Sequence, residues 1–164
     1  MRFLKRLLLI SVVLVSCVGC DQVTKSIAVK IMPIKEPVSY LGDTVRLQIA
    51  YNRGAFLSIG SFLPEAWRIG IFTIGVSCIL LSVLIYGFLS KTRHPSLLLG
   101  VALLFAGGVS NLLDRIANGG LVVDFINIGI GPVRTGIFNI ADIVITVGAV
   151  IFFWATFRQK QMER

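Results

Sequence analysis

The sequence predicts an all-α membrane protein: four transmembrane helices with a small extracytoplasmic β element and a short interfacial helix. Three observations carry this. Only 15% of the 164 residues are charged and 55% are hydrophobic, against roughly 25% charged in soluble domains, and mean hydropathy is +0.87. Several apolar segments approach the ~20 residues a helix needs to cross a bilayer at about 1.5 Å rise per residue. The basic residues behind the net charge of +8 gather just outside those segments: Arg2, Lys5 and Arg6, then Lys91 and Arg93, then Arg158, Lys160 and Arg164. That distribution is a topology signal and not a nucleic-acid footprint, so nucleic acid is not an expected partner.

The elements follow in order. Leu7–Cys20 opens the first span, which runs past Asp21 and Lys25 toward Met32, giving a helix over about residues 7–32. The outer connection 33–68 contains Val45-Arg46-Leu47-Gln48-Ile49, which alternates as a strand does. In the same connection Leu63-Pro64-Glu65-Ala66-Trp67 suits a short interfacial helix with Trp67 as its anchor. Residues 69–89 hold no charge and form the cleanest span. Residues 96–115 follow a basic turn and end at Asp114-Arg115, and a second outer connection covers 116–136. The last span, 137–157, carries one charge, Asp142. With four spans the three basic clusters share one side, so both termini are expected in the cytoplasm.

Acidic residues near such spans are informative, because Asp at a helix centre costs about 2.5–3.5 kcal/mol on insertion scales and so tends to mark function. Five of the eight acidic residues are aspartates. Asp21 falls about 21 Å along the first helix and Asp142 about 8 Å inside the last. Asn111 and Asp114 end the third helix, while Asp124 and Asn52-Arg53-Gly54 lie in the two outer connections. Segments distant in sequence thus deliver carboxylates and amides to one outer layer.

Other chemistries are poorly supplied. Cys17, Cys20 and Cys78 all lie in apolar stretches, so neither a disulfide framework nor a zinc site is indicated, and the Cys17-Val18-Gly19-Cys20 spacing reads as packing. The single histidine, His94, sits in a basic loop, which disfavours Ser-His catalysis and a histidine metal site. Carboxylates are left for proton transfer. Two held close cannot both ionise comfortably, so the pair keeps one proton: the ionised member can take a proton from water while the neutral one polarises a carbonyl.

Five motifs stand in order along the chain: Asp21-Gln22-Val23-Thr24-Lys25, Asn52-Arg53-Gly54-Ala55-Phe56, Gly107-Gly108-Val109-Ser110-Asn111-Leu112-Leu113-Asp114-Arg115, Val123-Asp124-Phe125 and Phe138-Asn139-Ile140-Ala141-Asp142. At these the chain resembles the lipoprotein signal peptidases (type II signal peptidases), a bacterial family of inner-membrane aspartyl proteases, over nearly its whole length. The resemblance implies one peptidase domain over residues 1–164 that cleaves prolipoproteins just before a diacylglyceryl-modified cysteine, without metal or cofactor. It implies Asp124 and Asp142 as catalytic dyad. It places Asn52, Gly54, Asn111, Asp114, Arg115 and Asn139 around the substrate, with Asp21 and Lys25 in support. Membrane lipid and a globomycin-type inhibitor are the further implied partners. Two departures are present: Ser110 where the family usually has glycine, and Phe56-Leu57 where a small residue then an aromatic is commoner.

Plainer readings exist for the same residues. Asp124 and Asp142 could cap or glue helices, Asp114-Arg115 could be an ion pair at a helix end, and Asp21 and Lys25 form an i,i+4 pair. The asparagines could cap turns. Leu14-Val15-Ser16-Cys17 mimics the processing site of a lipoprotein, but three further spans and Asp21 favour retention of this segment as the first helix. A small proton-coupled transporter is the alternative function, though transporters place polar sites at the midplane between repeats, and this chain shows no repeat.

Overall fold

The computed structural model describes residues 3–33, 36–54, 59–89 and 94–162. Arg2, Ala55, Phe56, Leu57, Lys91, Arg93 and Arg164, on which parts of the topology and loop readings rest, lie outside the described residues. Among the described residues, four helical runs are long and apolar enough to cross a membrane: Phe3–Ile31, Glu65–Leu89, Pro95–Ala117 and Ile140–Gln161. In chain order the helices are α1 (Phe3–Ile31), α2 (Glu65–Ile69), α3 (Val76–Leu89), α4 (Pro95–Ala117) and α5 (Ile140–Met162), with a π-helical segment, Gly70–Gly75, between α2 and α3.

The short helix anticipated at Leu63–Trp67 occupies Glu65–Ile69 and does not stand apart from the span behind it. Ile69 (φ −59°, ψ −48°) and Gly70 (φ −57°, ψ −51°) both keep helical dihedrals, so α2, the π segment and α3 form one run of 25 residues. Pro64 at its N-cap fixes where it can begin. The first helix starts at Phe3 and not near Leu7, because Arg6 is used inside the bundle: its Nη1 donates to the carbonyls of Gly87 (3.1 Å) and Phe88 (2.9 Å) at the end of α3. The last helix starts at Ile140 and not at Ile137, since Phe138 is drawn into a bridge with Ile126.

α4 is the centre. It packs on α5, α1 and α3, and 56% of its most apolar window is buried, against 11%, 6% and 22% for α1, the α2–α3 run and α5. The outer helices therefore turn apolar side chains to lipid, where close packing and not the hydrophobic effect must hold them. Glycines supply that closeness on α4 and α5. A Cβ at Gly107 would lie 2.7 Å from the Ala141 carbonyl oxygen, and one at Gly148 would lie 2.8 Å from the Leu104 nitrogen. Those two backbones touch.

A four-stranded antiparallel sheet, ordered β1 (Val38–Tyr40), β2 (Val45–Asn52), β3 (Val122–Ile130) and β4 (Val133–Arg134), covers the end of the bundle where α4 stops and α5 starts. Val45-Arg46-Leu47-Gln48-Ile49 opens β2 as the alternation predicted. Its pairing with β3 slips by one residue between Leu47 and Ala50, a bulge of the kind that re-aims side chains. β3 is reached through a sharp stop: Gly119 and Gly120 have φ of +61° and +89°, and the Gly120 N–H donates to the Arg115 carbonyl at 2.7 Å. That is the long bond of a Schellman motif, which only residues tolerant of positive φ allow. It folds β3 back over the last turn of α4.

Candidate active site

Five elements, two of them strands of the sheet, converge at this end of the bundle. From α1 come Asp21 and Lys25, from α4 Asn111, Asp114 and Arg115, from β2 and β3 Asn52 and Asp124, and from the start of α5 Asn139 and Asp142. All nine are buried.

The start of α5 explains the last two. Asn139 stands just before Ile140, and its Oδ1 accepts the Asp142 N–H at 2.9 Å, while Asp142 Oδ2 accepts the Asn139 N–H at 3.2 Å. This reciprocal pair is a capping box built from Asn and Asp. Asp21 adds a third contact, its Oδ1 accepting the Ala141 N–H at 2.8 Å. So the capping role considered for Asp142 is real, and it leaves Asp142 Oδ1 pointing to the Asn111 amide at 3.0 Å. Asp142 also faces a cavity of about 650 Å³. Asn111, Arg115 and Asp142 form its polar end, and Ile145, Ala149 and Phe153, successive turns of α5, run along it.

Asp124 is presented by the sheet. Its Oδ2 accepts the Asn52 amide at 2.9 Å and its Oδ1 accepts the Asn139 amide at 2.6 Å. Asn52 pairs across the sheet with Val122, two residues before Asp124 and on the same face. Burial, and then the neighbouring Asp142, push the Asp124 carboxyl up to about 6, against the opposing pull of the Asn52 and Asn139 amides and of Lys25. Asn139 therefore bonds both carboxylates, one through its side chain and one through its backbone.

Behind them lies a charged layer. Lys25 Nζ is 2.7 Å from Asp21 Oδ2 and 2.8 Å from Asp114 Oδ2, and donates to Asn111 Oδ1 at 3.0 Å. The i,i+4 pairing of Asp21 and Lys25 is thus present inside a larger network. Asp114 and Arg115 do not pair with each other as a helix-end ion pair would. Asp114 accepts Gln22 Nε2 (2.8 Å) and the Val123 N–H (3.0 Å). Arg115 Nη2 donates to the Gly54 carbonyl (2.9 Å), and its buried Nε has no hydrogen-bond partner among the described residues. The Gly54 N–H in turn donates to Asn52 Oδ1 at 2.8 Å, a turn closed by a side chain.

Two participants escaped the sequence reading. Gln22, one residue from Asp21, reaches across to α4. Ser110 is fully buried and donates to Asp21 Oδ2 at 2.7 Å while accepting from Gln22 Nε2 at 3.1 Å. Its only advance signal was its departure from glycine. Of the cysteines, Cys17, Cys20 and Cys78 are free thiols and none joins this layer. No cluster of three metal-ligating side chains occurs among the described residues.

A buried pair of carboxylates, each held by amides and each near one residue, can share a proton and serve as acid and base together. Set at one end of four apolar spans, it is the build of a membrane-embedded protease. The chain belongs to the signal peptidase II family: the family model described as Signal peptidase (SPase) II matches residues 13–158. It is 39% identical over 155 residues to a lipoprotein signal peptidase of Chlorobium phaeobacteroides, covering 88% of this chain and 89% of the relative. It is 31% identical over 163 residues to one of Streptococcus pneumoniae, covering 96% and 97%. A solved bacterial membrane enzyme superposes with a TM-score of 0.82 at 28% identity, over 94% of this chain and 91% of that one.

Proposed function

We propose that the whole chain works as a single membrane domain that removes the signal peptide from diacylglyceryl-modified prolipoproteins, cutting before the lipidated cysteine, with Asp124 and Asp142 as catalytic dyad. The observation that carries the reading is Asn139: it bonds a sheet-borne and a helix-borne carboxylate, the helix-borne one lying at the polar end of an apolar cavity. Family membership supplies the reaction class.

In this mechanism Asp124, whose carboxyl is raised, holds the shared proton, and Asp142 carries the charge. Asp142 takes a proton from water as the water oxygen attacks the scissile carbonyl carbon. Asp124 gives its proton to the carbonyl oxygen. The diol intermediate then collapses: Asp142 protonates the departing amine nitrogen, the C–N bond breaks, and the hydroxyl proton returns to Asp124. Each general acid–base contribution is worth roughly 10²–10⁴-fold. Arg115 and the amides of Asn52 and Asn111 hold the substrate around the pair. Gly54 and Asp114 shape that rim, and the acyl chains follow the cavity along α5.

The sheet side faces outward and both termini face the cytoplasm of a bacterial inner membrane, supported by the basic residues at the opposite end of the bundle. The polar groups lie at one end and not at the midplane, which leaves the transporter alternative without support. The test is cleavage of a purified prolipoprotein, with and without the diacylglyceryl group, by the protein in lipid nanodiscs. Cutting before the cysteine of the lipidated form alone is expected, with block by globomycin. Equal cutting of both forms, or of neither, overturns the substrate reading.

A further inference from the structure

We infer that Lys25 is a positioning residue that fixes the spacing of the two carboxylates, an inference that rests on Asp124 and Asp142 doing the chemistry. An ammonium has three N–H donors. Lys25 Nζ, buried with the side chain 4% exposed, meets three oxygens: Asp21 Oδ2 at 2.7 Å, Asp114 Oδ2 at 2.8 Å and Asn111 Oδ1 at 3.0 Å. What those partners do next is the point. Asp21 accepts the N–H of Ala141, the residue before Asp142. Asp114 accepts the N–H of Val123, the residue before Asp124. Asn111, its oxygen taken by Lys25, turns its amide to Asp142 Oδ1 at 3.0 Å.

One cation on α1 thereby references both the start of α5 and the start of β3. Each reference runs through a carboxylate to the backbone nitrogen one residue upstream of a member of the pair. Without the cation Asp21 and Asp114 become two buried like charges, which repel, and the two backbone anchors separate. Arginine cannot stand in, because its planar fork cannot aim three donors at three converging oxygens. A misplacement of about 1 Å costs on the order of 10²-fold in rate.

The charged groups facing the pair are Lys25 and Asp21 from α1 and Asp114 and Arg115 from α4. Of these, Lys25 favours the ionised form of Asp124. The experiment compares Lys25→Met and Lys25→Arg with the parent chain in nanodiscs, reading kcat, KM and the pH profile on a diacylglyceryl-modified fluorogenic peptide. For Lys25→Met a fall in kcat of about 10²-fold, little change in KM, and a basic limb moved to higher pH are expected. Lys25→Arg should restore the limb and not kcat. A folded Lys25→Met protein with parental kcat or an unmoved limb overturns the inference. Should Lys25→Met fail to fold, Lys25→Arg, which keeps the buried charge, decides alone: parental kcat there overturns it. Asp124→Asn run alongside separates the two levels. If Asp124→Asn is inactive while both Lys25 variants are normal, only this inference falls; if Asp124→Asn cleaves normally, the dyad itself falls.

Discussion

The strand that carries Asp124 and the helix that carries Asp142 meet at Asn139, but they hold their carboxylates by different means. Asp142 is locked by backbone: its capping box with Asn139 fixes the oxygen and the first turn of α5 together. Asp124 is held by two side-chain amides, Asn52 and Asn139, on a strand that belongs to the outer sheet. One carboxylate is therefore part of the helix's own architecture, and the other can be retuned by a single side chain. The asymmetry matches the division of labour proposed for them, a fixed base and an adjustable acid.

The largest effect should come from removing either member. Asp124→Asn and Asp142→Asn should each lose at least roughly 10²–10⁴-fold in turnover, and the double variant should be scarcely worse than one, because the pair acts as a unit. Initial rates on lipidated substrate measure this; additive losses would break the pair into two independent groups. Next, Asn139→Ala should strike both sides at once. The lost cap costs about 1 kcal/mol of stability, read as a lower melting point, and activity should fall more than in any other asparagine variant. Gly107→Leu should come third. Its side chain must displace the Ala141 carbonyl, whose oxygen would lie 2.7 Å from the new Cβ, an overpacking cost of about 1–3 kcal/mol, and it should disturb the helix-borne carboxylate alone.

Asn52→Ala sharpens the comparison from the other side. The Asn52 amide favours ionised Asp124, so its loss raises the Asp124 carboxyl further above its present value of about 6. Since the acid must be protonated, kcat/KM falls as pH rises through that value, and in Asn52→Ala the fall should begin at higher pH. An unmoved limb would mean that another group sets it. The smallest effect is expected for Asp43→Asn. Asp43 bridges Arg46 (2.5 Å) and Arg134 (3.6 Å) on the exposed sheet, which hold its carboxyl well below the ordinary range. Exposed pairs contribute little, and cleavage at neutral pH should not change.

These contrasts follow how the chain could be read beforehand. The spans were legible because lipid-facing helices tolerate so few charges that 69–89 stands out by composition alone. β2 was legible by alternation. β3 was not, although it carries Asp124: Val122-Val123-Asp124-Phe125 is buried on both faces, so the period of two that marks a half-exposed strand is missing. Gly119-Gly120 before it and Gly131-Pro132 after it were the available signals. The motifs named Asp21, Lys25, Asn111, Asp114 and Asp142 one by one. Their connection through Lys25 and Ser110 was hidden, since hydrogen bonds between residues nearly 90 positions apart leave no local spacing to read. The continuation of α2 into α3 was hidden for a plainer reason: Pro64 and Trp67 mark an interfacial start, but nothing marks the absence of a stop.

The glycine contact between α4 and α5 has a consequence for where this protein can work. Bilayers differ in thickness, and helices answer a mismatch chiefly by tilting. Where side chains separate two helices, tilt lets one slide along the other. Here Gly107 and Gly148 let backbone rest on backbone, so α4 and α5 must tilt as one plank, carrying Asn111 and Asp142 with them. The strain of a thin or thick membrane is passed outward to the α2–α3 run, which is scarcely buried and, unlike α1, gives no side chain to the network around Lys25. Turnover should accordingly be indifferent to lipid chain length over a range in which the α2–α3 run visibly changes its inclination.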